Sequence, residues 1–148
     1  MEIKEGYMPF MGYQTYYRIV GKTEKGKSPI ILLHGGPGST HNYFELLDRV
    51  AESGRAVIMY DQLGCGNSFV EGHPELWTPE TWLNELCSLI DYLHIDHFHL
   101  LGQSWGGMLA IIYLIEKKAK GVKSAILSST LSSSKLWASE QHRMIKFM

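Results

Sequence analysis

Three short, mainly apolar runs separated by longer segments constrain the fold of this chain most strongly. The runs lie at residues 29–33, 56–60 and 98–101. A continuous apolar run of this length is typical of a strand covered on both faces in a parallel sheet. A fourth strand is predicted at 122–128. Since the segments between the strands have helical character, the order predicts right-handed crossovers, and therefore an α/β fold with a mostly parallel sheet and helices on both faces.

The connecting segments carry recognisable helix boundaries. Apolar residues at helical spacing predict a helix over residues 41–53, which Gly54 is placed to end. A second helix begins with Thr78 as N-cap and Pro79 at the first helical position. Its apolar face comprises Trp82, Leu86, Leu89, Ile90 and Leu93. Residues 105–118 form a third predicted helix. After a polar start, residues 13–20 read as a strand of a leading hairpin, 21–28 as a turn and 61–74 as a loop.

Composition favours one ordinary globular domain and excludes several classes of partner. The 148 residues include 14 Lys and Arg against 15 Asp and Glu, and 45% are hydrophobic. A net charge of -1 provides no basic excess for nucleic acid or an anionic membrane. The longest apolar run, 108–115, is much shorter than the ~18 residues of a spanning helix. The short run predicts that the chain has no membrane span, and the charged start is unlike a signal peptide. The two cysteines have no metal spacing, so we expect reduced thiols and a cytoplasmic chain.

One motif follows the third apolar run and precedes a helix. Residues 102–106 read Gly-Gln-Ser-Trp-Gly and match the GxSxG pattern of a nucleophile elbow. The flanking glycines permit the close backbone approach of a sharp turn, which would hold Ser104 in a strained conformation above the sheet. A helix N-terminus beside it would favour an oxyanion. The motif therefore predicts that Ser104 is a nucleophile, against the alternative of a glycine-rich turn that contains a serine by chance.

A second glycine-rich segment follows the first apolar run. Residues 34–38 read His-Gly-Gly-Pro-Gly, and such a loop can turn an N–H towards a ligand. Together with the N–H of Trp105, this N–H would form an oxyanion hole. The alternatives are a phosphate-binding turn and a plain tight loop, but the spacing of a dinucleotide fingerprint is absent from the sequence.

A third segment, residues 61–68, follows the second apolar run on the same predicted edge of the sheet. Asp61 could be a metal ligand, but the neighbouring residues form a poor ligand set, so a role in ordering the loop is favoured. For Cys65, a reactive thiol near the pocket and an inert buried thiol are equally compatible with the sequence.

The histidines do not supply an obvious general base. Hydrolases of this type place the nucleophile first, then the acid, then the histidine, and six of the seven histidines precede Ser104. His142 is the only one that follows, and Glu116 and Glu140 are the only acidic residues after Ser104. A triad of Ser104, Glu140 and His142 competes with the alternative that the last two are ordinary surface residues of a helix. The surface alternative is favoured.

At these motifs the chain resembles the bacterial proline iminopeptidases, also called prolyl aminopeptidases, which are serine peptidases of the α/β-hydrolase fold. The similarity rests on residues 34–38, 61–68 and 102–107 and extends along the whole chain. It implies that Ser104 is the nucleophile and that the N–H groups of Gly36 and Trp105 form the oxyanion hole. The implied reaction releases an N-terminal proline from a small peptide through an acyl-enzyme, without a metal or other cofactor.

The resemblance covers the amino-terminal half of that family. Residues 1–148 correspond to the amino-terminal portion of the α/β-hydrolase domain, and residues 135–148 to the start of a helical cap. In the family, the catalytic Asp and His come later, so we expect an incomplete triad and a rate lower by roughly 10⁴ to 10⁶ for this chain alone. A complementing carboxyl-terminal fragment is one way to complete the site. Residues 122–128 are then expected to form an exposed edge strand.

Two other functions remain open at this point. Another serine α/β-hydrolase, such as an esterase or lactonase, would use the same motifs with a different cap. A non-catalytic binding module of the same fold would explain the missing base, although it would not require a strained serine turn. Association with the cell envelope is also left open beside the cytoplasmic prediction.

Overall fold

The computed structural model describes residues 1–147. Its six strands are β1 (Ile3–Phe10), β2 (Tyr13–Val20), β3 (Ile30–Leu33), β4 (Val57–Tyr60), β5 (Phe98–Gln103) and β6 (Val122–Ser128). The helices are α1 (Pro79–Tyr92), α2 (Trp105–Glu116) and α3 (Ser134–Ile145), with 3₁₀ segments at His41–Ser53, Gly66–Ser68 and Pro74–Leu76. Met148, the last residue of the predicted cap segment, lies outside the described residues.

All six strands form one mixed sheet in the order β1-β2-β4-β3-β5-β6. The central strand β3 pairs in parallel with β4 and with β5, and β5 pairs in parallel with β6. The pairs β1–β2 and β2–β4 are antiparallel. The α/β fold with a parallel core is therefore confirmed, and an antiparallel hairpin extends it on one side.

The strand β1 was not predicted from the sequence. It pairs with β2 along its whole length, from Ile3 opposite Val20 to Phe10 opposite Tyr13. Only Met8 and Phe10 of this strand are buried, and Pro9 lies between them. An edge strand tolerates proline and charged residues because one of its sides needs no strand partner. A mostly exposed edge strand therefore lacks the apolar run that identified the buried ones.

The segment 41–53 is helical as predicted, but its winding is different. It forms successive 3₁₀ turns rather than α-helix, and it ends at Gly54, whose φ is 76°. Since 3₁₀ turns repeat every three residues, His41, Phe44 and Leu47 share one inward line. Leu46, which the α-helical pattern counted as apolar face, is 85% exposed. The spacing alone did not distinguish the two kinds of helix.

The core lies on both faces of the sheet. On one face, alternate strand residues such as Ile31, Leu33 and Ile58 pack against α1 and α2. On the other face, Leu32 and Met59 belong to a smaller apolar cluster that Phe44 of the 3₁₀ segment covers. The helix α1 begins as predicted, because the Thr78 side chain accepts a hydrogen bond from the N–H of Thr81. This packing fixes the carboxyl ends of β3, β4 and β5 at a common edge.

The outer strand β6 is largely exposed. Within residues 1–147 it pairs only with β5, and Ile126 and Leu127 are 51% and 44% exposed. The helix α3 contains no buried residue. The expectation of an exposed strand at 122–128 therefore agrees with the structure. Among the described residues, no helix has both the length and the apolar character needed to cross a bilayer.

Candidate active site

Ser104 lies at the turn between β5 and α2, where the GxSxG motif predicts a nucleophile elbow. Its backbone has φ 53° and ψ -119°, a combination that residues with a Cβ rarely adopt. The glycines of the motif explain how the turn closes. A Cβ on Gly102 would lie 2.2 Å from the carbonyl oxygen of Gly106, and one on Gly106 would lie 1.9 Å from that of Leu33. The motif is therefore part of a tight strand-to-helix junction.

Hydrogen bonds hold the backbone of this elbow on both sides of the serine side chain. The N–H of Ser104 donates to the carbonyl of Ser128 on β6 at 3.0 Å. The hydroxyl of Thr130 donates to the carbonyl of Ser104 at 2.6 Å. Although Ser104 is the N-cap residue of α2, its own hydroxyl makes no capping hydrogen bond. The backbone is thus fixed while the hydroxyl stays available.

The loop 34–38 follows β3 and packs directly against this elbow. A Cβ on Gly35 would lie 2.6 Å from the Gln103 side-chain oxygen and 3.2 Å from the Cβ of Ser104. Gly36 has φ 117°, and a Cβ there would lie 2.4 Å from the nitrogen of Gly38. Only glycine fits either position without displacing neighbouring atoms. The two glycine-rich motifs therefore form one structure at the sheet edge.

The predicted oxyanion donors share one cavity with Ser104. Within residues 1–147, the N–H groups of Gly36 and Trp105 donate to no protein acceptor. Both residues line the same cavity as Ser104, which has a volume of about 360 Å³. Trp105 is also the first residue of α2, where the helix dipole favours negative charge. This arrangement can receive a carbonyl whose oxygen becomes negatively charged.

The rest of this cavity is mainly apolar. Its remaining lining residues are Pro37, Met108, Ser129, Thr130, Leu131, Ser134 and Trp137. Trp137 comes from α3, so the last helix described contributes one wall. None of the lining residues that the structure describes is a histidine or a carboxylic acid. The cavity thus combines a serine and two N–H donors with a small apolar surface.

A buried polar network connects the loop 34–38 with the elbow at Ser104. The Gln62 side chain accepts a hydrogen bond from the Trp105 indole at 2.8 Å and donates to the His34 carbonyl at 3.0 Å. The backbone N–H of Gln62 donates to Nε2 of His34 at 2.9 Å. Gln62 and His34 are completely buried. A buried network with all partners satisfied rigidifies its surroundings.

A second connection runs over the outer side of the site through Tyr43. Its hydroxyl accepts a hydrogen bond from the N–H of Gly35 at 2.7 Å and donates to the side-chain oxygen of Gln103 at 2.9 Å. Gln103 and Trp105 flank Ser104, so both neighbours of the serine are tied to the glycine loop. The sequence placed Tyr43 only in an apolar pattern and did not identify Thr130. Neither residue belongs to a motif that could have revealed its role.

Asp61 orders its loop, as the sequence favoured. One carboxylate oxygen accepts hydrogen bonds from the backbone N–H and from Nδ1 of His41, at 2.8 and 2.7 Å. The other oxygen accepts from the N–H of Asn67 at 2.9 Å. Burial raises the pKa of Asp61, but these donors outweigh it, so the net pKa lies below the usual value. The carboxylate is thus charged and held by three N–H groups.

Cys65 has the surroundings of an inert buried thiol rather than those of a reactive one. Its side chain is almost fully buried. Burial raises its pKa to about 11, and the nearby charges of Glu85 and Asp61 act in the same direction. A thiol with this pKa has very little thiolate near neutral pH, and the thiolate is the reactive form. Burial and the raised pKa therefore favour the inert thiol over the reactive one.

Glu140 and His142 belong to the exposed helix α3, as the favoured alternative held. The carboxylate of Glu140 accepts a hydrogen bond from Nε of Arg143 at 2.8 Å. The side chains of Glu140, His142 and Arg143 are all exposed. Neither Glu140 nor His142 lines the cavity of Ser104. The structure does not bring a Ser104, Glu140 and His142 triad together.

The model of the alpha/beta hydrolase fold family matches residues 28–147. The curated proline iminopeptidase of Clostridioides difficile (strain 630) is 69% identical over 148 residues, which are all of this chain and 50% of that protein. The proline iminopeptidase of Lactobacillus acidophilus is 63% identical, and its match covers all of this chain and 51% of that protein. The chain therefore spans about half the length of the curated relatives it matches.

Solved structures show the same relationship. The crystal structure of a proline iminopeptidase from Mycobacterium smegmatis superposes with a TM-score of 0.89 at 32% identity, over 98% of this chain and 50% of the other. The structure of VinJ superposes with a TM-score of 0.88 at 38% identity, over 95% of this chain and 48% of the other. The similarity thus holds in backbone geometry as well as in sequence.

Proposed function

The chain belongs to the alpha/beta hydrolase fold family, and on that premise we propose that it carries the nucleophile and the oxyanion hole of a serine aminopeptidase that releases N-terminal proline from peptides. One observation carries the proposal. Ser104, in a strained turn, shares a mainly apolar cavity with the N–H groups of Gly36 and Trp105, which donate to no acceptor among residues 1–147. Relatives at 60% identity or more that bear the name proline iminopeptidase supply the reaction.

In this proposal, Oγ of Ser104 attacks the carbonyl carbon of the N-terminal proline residue. A bond forms between Oγ and the carbonyl carbon, and the carbonyl oxygen becomes an oxyanion. This oxyanion accepts hydrogen bonds from the N–H groups of Gly36 and Trp105. The C–N bond then breaks, and the serine proton passes through a general base to the departing amine. Water repeats the sequence on the acyl-enzyme and releases proline. One oxyanion donor contributes on the order of 10² to 10³ in rate.

The general base is assigned to residues beyond this chain. Since no histidine or carboxylic acid of residues 1–147 lines the cavity, the base and its acid have to enter from elsewhere. The relatives are about twice as long as the matched segment, which leaves ample chain for both groups. In this proposal, the base and its acid come from the half of such a protein that these 148 residues do not match. That half is either part of the same polypeptide or a separate complementing segment.

The apolar part of the cavity is assigned to the proline ring. Met108, Leu131 and Trp137 offer a surface on which a small saturated ring can lose its hydration. The volume of about 360 Å³ suits a small substrate group rather than a large one. A short peptide with N-terminal proline is therefore the proposed substrate.

A cytoplasmic location is part of the same proposal. Both cysteines of the chain, Cys65 and Cys87, are free thiols. Free thiols persist in a reducing compartment.

A chimera tests the reaction in a complete protein. In it, these 148 residues replace the segment they match in the Clostridioides difficile relative. We expect hydrolysis of a chromogenic proline amide by the chimera, and a rate lower by at least about 10⁴ in its Ser104→Ala variant. The 148-residue chain alone serves as the control for the contribution of the other half.

The same assay separates the alternatives. Since the other half of the chimera comes from the relative, this chain contributes to specificity only through its own cavity residues. An esterase or lactonase cavity would favour a chromogenic acetate ester or a lactone over the proline amide. A non-catalytic binding module would bind a proline peptide equally well with and without the Ser104 hydroxyl, and it would turn over neither substrate. Either result would overturn the proposed peptidase.

A further inference from the structure

A chain of neutral hydrogen bonds leads from Gln62 to the peptide unit that contains the N–H of Gly36. The backbone N–H of Gln62 donates to Nε2 of His34, so Nε2 carries no proton and the proton is on Nδ1. Nδ1 of His34 lies 2.8 Å from the carbonyl oxygen of Gly35 and donates to it. Gln62 thus selects the tautomer with which His34 contacts the loop.

The carbonyl of Gly35 and the N–H of Gly36 belong to one planar peptide unit. Fixing the direction of that carbonyl therefore fixes the direction of the N–H. Glycine on both sides gives this unit little intrinsic preference, because Gly35 and Gly36 lack a Cβ. The bond from His34 supplies the missing constraint. Burial lowers the pKa of His34, although the bond to Gly35 opposes this, which is consistent with a neutral ring.

The other oxyanion donor depends on the same glutamine. The Gln62 side chain accepts from the indole N–H of Trp105, the residue whose backbone N–H is the second donor. The opposite end of that amide donates to the carbonyl of His34. One buried side chain therefore spans the distance between the two motifs that contribute the donors.

We propose that Gln62 and His34 are positioning residues that aim the N–H groups of Gly36 and Trp105 at a common oxyanion. The inference rests on the proposed function, because it assigns these residues to the same reaction. Neither residue touches the substrate. Their loss lowers kcat and leaves KM nearly unchanged, since the donors bind the oxyanion more strongly in the transition state than in the ground state.

The first test needs no substrate. Nitrogen-15 NMR of the imidazole rings in the 148-residue chain, with the His34 signals assigned by their loss in His34→Gln, reports which ring nitrogen carries the proton. We expect the Nδ1–H tautomer of a neutral ring from pH 6 to 8. The Nε2–H tautomer or a protonated ring in that range would overturn the proposal, whether or not the chain has activity.

The second test compares two substitutions of His34 in the chimera, His34→Asn and His34→Gln. Asn at position 34 can place a donor near the site of Nδ1, whereas Gln places its amide near the site of Nε2 and loses the bond to Gly35. We expect a fall in kcat of roughly 10- to 100-fold in His34→Gln, a KM within about threefold, and partial recovery in His34→Asn. His97→Gln, at an exposed histidine, is the matched control.

The two proposals fail in different ways. Equal kcat in His34→Gln and His97→Gln would overturn the positioning role while the peptidase stands. A chimera that does not hydrolyse the proline amide at all would overturn the proposed function, and the NMR result would then report only whether His34 donates to the Gly35 carbonyl. If His34→Gln does not fold, His34→Asn assigns the His34 signals instead, and the tautomer of the unmodified chain still tests the positioning role.

Discussion

The backbone N–H of Leu63 donates to both carboxylate oxygens of Glu85, at 2.9 and 3.0 Å, although Glu85 lies on α1 and Leu63 in the loop after β4. The hydroxyl of Thr15 on β2 donates to the same carboxylate at 2.5 Å. Glu85 is fully buried, and burial raises its pKa to about 7 despite these donors. A titratable group therefore holds the residue next to Gln62.

This relationship predicts a pH-dependent stability. Between the ordinary value of 4.5 and about 7, the folded chain keeps the Glu85 proton that the unfolded chain has released. The free energy of unfolding consequently falls as pH rises through this window, by about 3 kcal/mol. Glu85→Gln removes the titration. The free energy of unfolding of the variant, minus that of the wild type, should therefore become more positive as pH rises. Urea unfolding from pH 5 to 8 measures it, and a difference independent of pH would contradict the prediction.

Tyr60 predicts an unusual response to the loss of a hydroxyl. Its side-chain oxygen is buried and has no hydrogen-bond partner among the described residues. Because an unpaired buried hydroxyl destabilises the fold, Tyr60→Phe should leave the free energy of unfolding unchanged or raise it by about 1 kcal/mol. Tyr113→Phe is the matched comparison, since the Tyr113 hydroxyl donates to the Lys120 carbonyl at 2.8 Å. It should lower the stability by about 1 kcal/mol, and equal effects of the two substitutions would refute the prediction.

The conformation of Ser104 predicts a gain in stability when the Cβ is removed. A residue with a Cβ at φ 53° and ψ -119° is strained by about 1 to 3 kcal/mol, whereas glycine is not. After the greater backbone entropy of unfolded glycine is subtracted, Ser104→Gly should be about 1 kcal/mol more stable than Ser104→Ala. Thermal and urea unfolding of the two variants compare them without any contribution from the hydroxyl. A less stable glycine variant would show that the turn is not strained.

Asp61 predicts a large loss when one carboxylate oxygen becomes an amide. Asp61→Asn removes the charge and replaces one carboxylate oxygen by an NH₂ group. That NH₂ group then faces either the N–H groups of His41 or the N–H of Asn67, which are donors as well. The expected decrease in the free energy of unfolding is about 2 to 4 kcal/mol. Asp91→Asn, at an exposed position, should change it by less than about 0.5 kcal/mol. Similar values for the two substitutions would argue against a structural role of Asp61.

The sequence predicted the parallel core and the arrangement of its motifs because each buried strand has its own apolar run. The strand over 122–128 has the predicted bounds, and α1 begins where Thr78 and Pro79 placed it. The elbow at Ser104 and the loop at 34–38 meet at one sheet edge, since parallel strands bring their carboxyl ends together.

The remaining features depend on contacts between distant parts of the chain. The pairing of β1 with β2 arises from backbone hydrogen bonds, which leave little trace in an exposed strand. The hydroxyl of Tyr43 becomes part of the site only because Gln103 lies beside it in the fold, 60 positions along the chain. Similarly, the tautomer of His34 is set by the backbone of Gln62. No local pattern encodes such contacts.

The pairing of β3 with both β4 and β5 has a consequence for synthesis of the chain. Leu33 lies opposite Gly102, so the loop that follows β3 acquires its final neighbours only after β5 has left the ribosome. Contacts of such sequence separation form slowly, and until then the central strand exposes an unpaired edge. The edge of β3 that faces β5 therefore has no strand partner throughout the synthesis of α1.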